Sequence, residues 1–170
     1  AKTVVSRLQD LARKNAGSDF QRLVLDDVAR KVVEIARPAK PKPVEIVMDL
    51  NAPNQCIMGN ETQISQLLLN LLINAFHATE TGGTVTISTQ QKAGSLLLKV
   101  TDDGYGISEE NMKRIFEPFF TTKKGGEGTG LGLAIAEEVV EEHHGTIRVD
   151  SKEGLGTVFL VELPIFFSEY

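Results

Sequence analysis

Two asparagines stand inside an otherwise apolar run, "SQLLLNLLINAFHATE", from Ser65 to Glu80. A buried side-chain amide left without a partner costs about 1–3 kcal/mol, so Asn70 and Asn74 need an explanation. At 100° per residue, Gln63, Gln66, Asn70, Asn74 and His77 share a stripe roughly 80° wide, with Leu68, Leu69, Leu72, Ala75 and Phe76 outside it. The spacing leaves two readings open. The stripe faces solvent on an amphipathic helix, or it faces a cavity that holds something polar.

Two further groups bear on that choice. In "VTDDGYGI", Asp102 ends a strand pattern and is followed by Gly104 and Gly106. Such a carboxylate can accept a hydrogen bond from a ligand amine while bare backbone lets the ligand close in; the alternative is a plain Asp-Gly turn. In "GEGTGLGLAIAEEVV", Gly128, Gly130 and Gly132 lead into a helix, whose first N–H groups favour phosphate. The spacing is neither a Walker A loop nor a dinucleotide fingerprint. The preceding "TTKKGGEG" reads as a polar lid, with Lys123 and Lys124 able to approach phosphates, or as a solvated loop.

The elements that must position these residues follow from periodicity. Helices are expected over residues 3–15 and from Asp26 to Ala36, the second stopped by "RPAKPKP". A strand is expected from Val44 to Leu50, then the long helix from Glu61 to Thr79, ended by "TGG". "TVTISTQ" and "SLLLKVTD" form a hairpin through "KAG", and Ser108 caps a short helix. A helix within Gly128 to His143 and a second hairpin around "KEGLG" complete the chain, with His143 and His144 expected on the surface at that helix's end. Helices and hairpins in groups predict an α+β fold: a two-layer sandwich, with helices on one face of a mixed, mostly antiparallel sheet.

Composition narrows the function classes. A chain of 170 residues, 41% hydrophobic and 24% charged, is that of an ordinary globular domain. Residues 1–43 carry ten Lys/Arg against five Asp/Glu, whereas residues 44–170 carry eight against eighteen. An acidic main body argues against nucleic acid as a ligand. No apolar run is long enough to predict a membrane span. Cys56 is the single cysteine, so neither an intramolecular disulfide nor a cysteine metal cluster is expected. The start at Ala1 and the lack of a signal peptide fit a fragment or processed chain.

Taken in order, "NLLINAFHAT", "DDGYGI", "IFEPFFTTK", "GTGLGLAI" and "GLGTVF" resemble the N, G1, F, G2 and last glycine boxes of a known family. It is that of the ATP-binding catalytic domains of two-component sensor histidine kinases, within the Bergerat-fold group. The match covers residues 60–163, and "FEPFFTTK" with "GTGLGL" is characteristic of the histidine kinases within that group. The resemblance implies ATP and Mg²⁺ as cofactors. Asn74 matches the metal-coordinating asparagine and Asn70 the one facing the phosphates, with His77 nearby in a less defined role. Asp102 matches the carboxylate that accepts from the adenine amino group; Gly104, Gly106, Ile107 and Thr157 match the border of the adenine pocket. Gly128, Thr129, Gly130, Leu131 and Gly132 match the phosphate-side helix start and lid hinge. Phe116, Phe119 and Phe120 match lid aromatics, and Lys123 and Lys124 join Asn70 and Asn74 as the implied catalytic set.

Hydrolytic relatives typically carry a glutamate base where this chain has Asn70. An amide does not act as a base at neutral pH, so the resemblance implies phosphoryl transfer to a histidine rather than hydrolysis. The alternatives are a hydrolytic Bergerat-fold ATPase and an anti-sigma-type serine kinase. None of the three histidines, His77, His143 and His144, stands in the His-Glu or His-Asp pair of the family's acceptor. The expected partners are therefore a histidine-bearing dimerisation domain of the parent kinase and a downstream response regulator, with no nucleic acid and no membrane contact by this segment. Residues 1–17 are read as the end of a dimerisation helix and linker, and 18–170 as the catalytic domain. The implied location is cytoplasmic, compatible with a membrane-anchored parent.

Overall fold

The computed structural model describes residues 20–123 and 128–167. The expected helix over 3–15, the boundary near residue 17 and Lys124 lie outside the described residues. The described chain forms helices α1 (Leu25–Ala36), α2 (Glu61–Ala78), α3 (Glu109–Met112) and α4 (Gly132–Glu142). Its strands are β1 (Gln21–Val24), β2 (Glu45–Leu50), β3 (Cys56–Gly59), β4 (Thr84–Lys92), β5 (Ser95–Asp102), β6 (Thr146–Lys152) and β7 (Gly156–Pro164).

Five strands make one mixed sheet in the order β2-β4-β5-β7-β6. Only β2 and β4 run parallel; the other neighbours are antiparallel. The β4–β5 hairpin turns through Ala93 (φ 47°) and Gly94 (φ 83°), the two positive angles that a tight two-residue hairpin requires. Along β5, Leu96, Leu98, Val100 and Asp102 are buried, while Ser95, Leu97, Lys99 and Thr101 alternate with them and are less covered. One face of the sheet is thus covered by helices, as the grouped pattern predicts.

Helix α2 is apolar almost all round because α1, α4 and the sheet enclose it. Leu67, Leu68, Leu69, Leu71, Leu72 and Phe76 are at most 1% exposed. Asn60 caps its start by accepting from the Gln63 N–H at 3.1 Å. Its end differs from the expected glycine stop: Thr79 is already extended (φ −86°, ψ 134°), and its hydroxyl returns to the Ala75 carbonyl. Gly82 (φ 85°) instead bends the chain into β4, with its N–H on the Pro43 carbonyl at 2.8 Å.

Two features go beyond the expected elements. Strands β1 and β3 pair as a small antiparallel ribbon, Gln21 opposite Gly59 to Val24 opposite Cys56. Asp26 in the first turn of α1 is fully buried. Its carboxylate accepts from Thr89 Oγ1 on β4 and from the Ala52 N–H at 3.2 Å, joining helix, sheet and loop.

Candidate active site

The polar stripe of α2 is the floor of the site. Gln66 and Asn70 are buried, whereas Asn74 and His77 are half-buried, so the stripe does not lie open to solvent. Helix α4 covers it: Asn70 Nδ2 donates to the carbonyl of Gly132, the first residue of α4, at 3.0 Å. One turn on, Asn74 has no hydrogen-bond partner among the described residues. One further turn on, the Ala78 carbonyl accepts from the Tyr105 N–H at 3.1 Å, docking the loop that follows Asp102. Asn70, Asn74 and Ala78 are four residues apart and so lie along one helix face. The stripe therefore joins the glycine-led helix at one end to the Asp102 loop at the other, with the Asn74 amide between them.

At the Asp102 end the polar groups are buried and mutually engaged. Asp102 is 6% exposed, and its Oδ1 accepts from the Gly104 N–H at 2.9 Å. Burial pushes its carboxyl up to about 6. The Gly104 N–H opposes that shift, the Asp103 charge adds to it, and the Thr157 backbone N–H opposes it. A Cβ on Gly104 would lie 2.2 Å from the Ala78 carbonyl, so only glycine lets the loop reach α2 this closely. Gly106 seats against the Lys152 carbonyl, and the Tyr105 carbonyl accepts from Gly154 at 2.7 Å, which fastens the loop to the β6–β7 turn. Thr157, buried and directly opposite Asp102 in register, presents its side chain on the same face. Ser151, which the sequence reading did not single out, touches the Ile107 N–H at 2.9 Å, the Gly156 carbonyl at 2.9 Å and Thr157 Oγ1 at 2.8 Å.

The opposite end is less closed. Among the described residues no side chain caps the start of α4, which leaves the N–H groups of its first turn to an anion. Leu131 precedes that turn, with its N–H on Thr129 Oγ1 at 3.3 Å. Gly130 (φ 68°) accepts from the Phe119 N–H at 2.8 Å, and a Cβ there would lie 2.4 Å from the Phe119 carbonyl carbon. Gly128 lies against Thr121 and Lys123. Lys123 Nζ stands 2.8 Å from His77 Nδ1, which brings the lid segment to the stripe.

The three aromatics behave differently. Phe116 and Phe120 are half-buried and pack on the core, with Arg114 stacked over Phe120 at 4.4 Å. Phe119 is 75% exposed, and only its backbone, through the N–H on the Gly130 carbonyl, joins the glycine-led turn among the described residues.

Among the described residues no group of three His, Cys, Asp or Glu side chains gathers to hold a metal ion. An unpartnered amide oxygen at Asn74 suits Mg²⁺, which usually keeps waters and substrate phosphate oxygens as its other ligands.

The expectation that both late histidines lie on the surface holds for His144 and fails for His143. His143 is 2% exposed. Its Nε2 accepts from the Asn60 N–H at 3.1 Å, its Nδ1 donates to the Val139 carbonyl at 2.7 Å, and Phe20 stacks on the ring. Burial holds its imidazole below the usual histidine range, only partly offset by the Val139 carbonyl, so the ring ties α4 to the α2 cap in the neutral form.

Comparison with known proteins agrees with this geometry. A sequence profile of histidine kinase-, DNA gyrase B-, and HSP90-like ATPases matches residues 59–166. Over 164 residues the chain is 35% identical to the sensor histidine kinase ZraS of Salmonella typhi, covering 95% of this chain and 35% of ZraS. The chain thus spans about a third of the length of that relative. The solved catalytic domain of histidine kinase ThkA superposes with a TM-score of 0.74 at 32% identity, over 86% of this chain and 96% of that domain. Full-length ShkA, solved in complex with AMPPNP, gives 0.78 at 27% identity over 98% of this chain and 35% of ShkA. The chain belongs to the histidine kinase-, DNA gyrase B- and HSP90-like ATPase family, and within it to the ATP-binding catalytic domains of sensor histidine kinases.

Proposed function

We propose that this domain holds Mg-ATP across the α2 stripe and presents the γ-phosphoryl group to a histidine on the dimerisation domain of its parent kinase. The observation that carries the reading is the succession along α2: Asn70 on Gly132, then the unpartnered Asn74, then Ala78 on the Tyr105 N–H. A nucleotide with its base on Asp102 and its phosphates at the α4 start crosses Asn74 midway. The bound AMPPNP of ShkA supports a nucleotide in this fold.

In this reading Asp102 accepts from the adenine amino group, and Gly104, Gly106, Ile107 and Thr157 border the base. Asn74 supplies one amide oxygen to Mg²⁺; bound there, the ion would neutralise charge on the phosphate oxygens. The first-turn N–H groups of α4, approached through Gly128–Gly132, together with Lys123 and Lys124, balance the remaining phosphate charge. Thr129 and Leu131 position that turn, while Phe116 and Phe120 anchor the lid to the core. Asn70 holds α4 in place and, being an amide, activates no water. The nucleotide then waits for a neutral imidazole from another domain.

Residues 1–17 are assigned to the end of the dimerisation helix and linker, and 18–170 to the catalytic domain. A response regulator is the onward acceptor. No helix of the described residues is long and apolar enough to cross a membrane. Dependence on ATP places the domain on the cytoplasmic side. Incubation with γ-labelled ATP and a panel of histidine-bearing dimerisation domains tests the proposal. Acid-labile, base-stable phosphate on one of them is expected; acid-stable phosphoserine, or release of inorganic phosphate without transfer, would overturn it.

A further inference from the structure

We propose that Ser151 is a positioning residue that fixes the nucleobase preference of the site by holding the Thr157 hydroxyl as a hydrogen-bond acceptor. The proposal rests on the assignment of Asp102 and Thr157 to the base. Three polar atoms meet Ser151 Oγ: the Ile107 N–H at 2.9 Å, the Gly156 carbonyl at 2.9 Å and Thr157 Oγ1 at 2.8 Å. A serine hydroxyl has one proton to give and two lone pairs to receive. The Ile107 N–H can only donate and the Gly156 carbonyl can only accept. All three contacts are hydrogen bonds in one allocation alone, in which Ser151 donates to Gly156 and Thr157 donates to Ser151.

That allocation spends the only proton on Thr157 Oγ1 and leaves its lone pairs for the site. Thr157 is 4% exposed and directly opposite Asp102, so the hydroxyl has little water to turn to. The base edge then meets two acceptors side by side, the Asp102 carboxylate and Thr157 Oγ1. An exocyclic amine with two N–H groups satisfies both, while a carbonyl at the same position faces two lone-pair donors. Ser151 thus builds rejection of 6-oxo purines into the pocket without touching the base. Its bond to the Ile107 N–H also ties the Asp102 loop to the same point, so the two acceptors keep their spacing.

Calorimetry with ATP and inosine triphosphate, which differ at the 6-position, reads the effect as a ratio of affinities. The chain should prefer ATP, and Ser151→Ala should lower that preference about tenfold, since the released Thr157 hydroxyl can turn to donate. Ser151→Thr, which keeps the oxygen, should restore it. If Ser151→Ala does not fold, Thr157→Val gives the same reading from the other partner: ATP weakens and inosine triphosphate does not. A purely structural Ser151 would weaken both nucleotides in parallel and leave the ratio unchanged, which overturns the proposal. Asp102→Asn is run alongside. Unchanged ATP affinity in that variant would remove the base assignment itself, a failure distinct from an unaltered ratio.

Discussion

The two ends of the α2 stripe solve opposite problems. At the Asp102 end, Gly104, Ser151, Thr157 and the Gly154–Tyr105 contact engage one another without a ligand, and the carboxylate is buried. At the α4 end, Asn74 is unpartnered among the described residues, no side chain caps the helix, and Phe119 stands in solvent. In the proposed reading the first is the base end, held by its own contacts, and the second is the phosphate end, whose N–H groups and Asn74 amide would meet the charge of the nucleotide. Such a division suits the proposed role, in which the domain holds a nucleotide firmly and offers its terminal phosphoryl group to another domain.

The comparison is broken most severely at Asn74. Asn74→Ala should reduce phosphotransfer at least about a hundredfold while adenosine binding changes less than about threefold, measured by transfer rates and calorimetry. Equal losses in both would place Asn74 in the base half.

Asp102→Asn should weaken ATP binding by about ten- to a hundredfold, because a hydrogen bond to a charged acceptor is worth about 1.5–3 kcal/mol. The same change should stabilise the nucleotide-free domain at pH 7. A carboxyl raised from 3.8 to about 6 favours the protonated native state, so its contribution is full below pH 3.8 and lost as pH rises through about 6. The loss amounts to about 3 kcal/mol at most. Denaturant titrations should show the variant ahead at pH 7 and the gap closing near pH 4; a constant gap would remove the linkage.

His143 supplies the opposite slope. Its lowered imidazole means that neutral-ring stability is present above pH 6.5 and is lost as pH falls below it. His143→Ala should cost about 2–5 kcal/mol through the stranded Asn60 N–H and the space left beside Phe20. ATP affinity at temperatures where the variant is folded should be unaltered. A selective loss of ATP binding would move His143 into the site. The smallest effect is expected at Phe119→Ala, within about 0.5 kcal/mol in stability for so exposed a ring. Thermal melts check it, and a larger cost would show that the ring covers something.

What the sequence made legible was periodic or local. The stripe, the β4–β5 hairpin and the Ser108 cap depend on neighbours within a few residues, and all three stand in the structure. The resemblance in five ordered boxes carried the family. The misses depend on distant partners. His143 reads as a surface histidine because Asn60, which donates to it, is 83 positions away. Asp26 looks like a helix-start charge, yet Thr89, 63 positions on, draws it inside. Strands β1 and β3 are four residues each, too short for alternation to register. Ser151 left a usable signal: in the second hairpin it pairs with Thr157, a residue already assigned to the pocket border.

Amide hydrogen exchange with adenosine and with Mg-ATP tests the division between the two ends most directly. The Gly104 and Ile107 amides should be protected already without ligand and change little with either. Protection in the first turn of α4 should rise with Mg-ATP and not with adenosine. An α4 start already protected in the free domain, or an equal response at both ends to adenosine alone, would contradict the account.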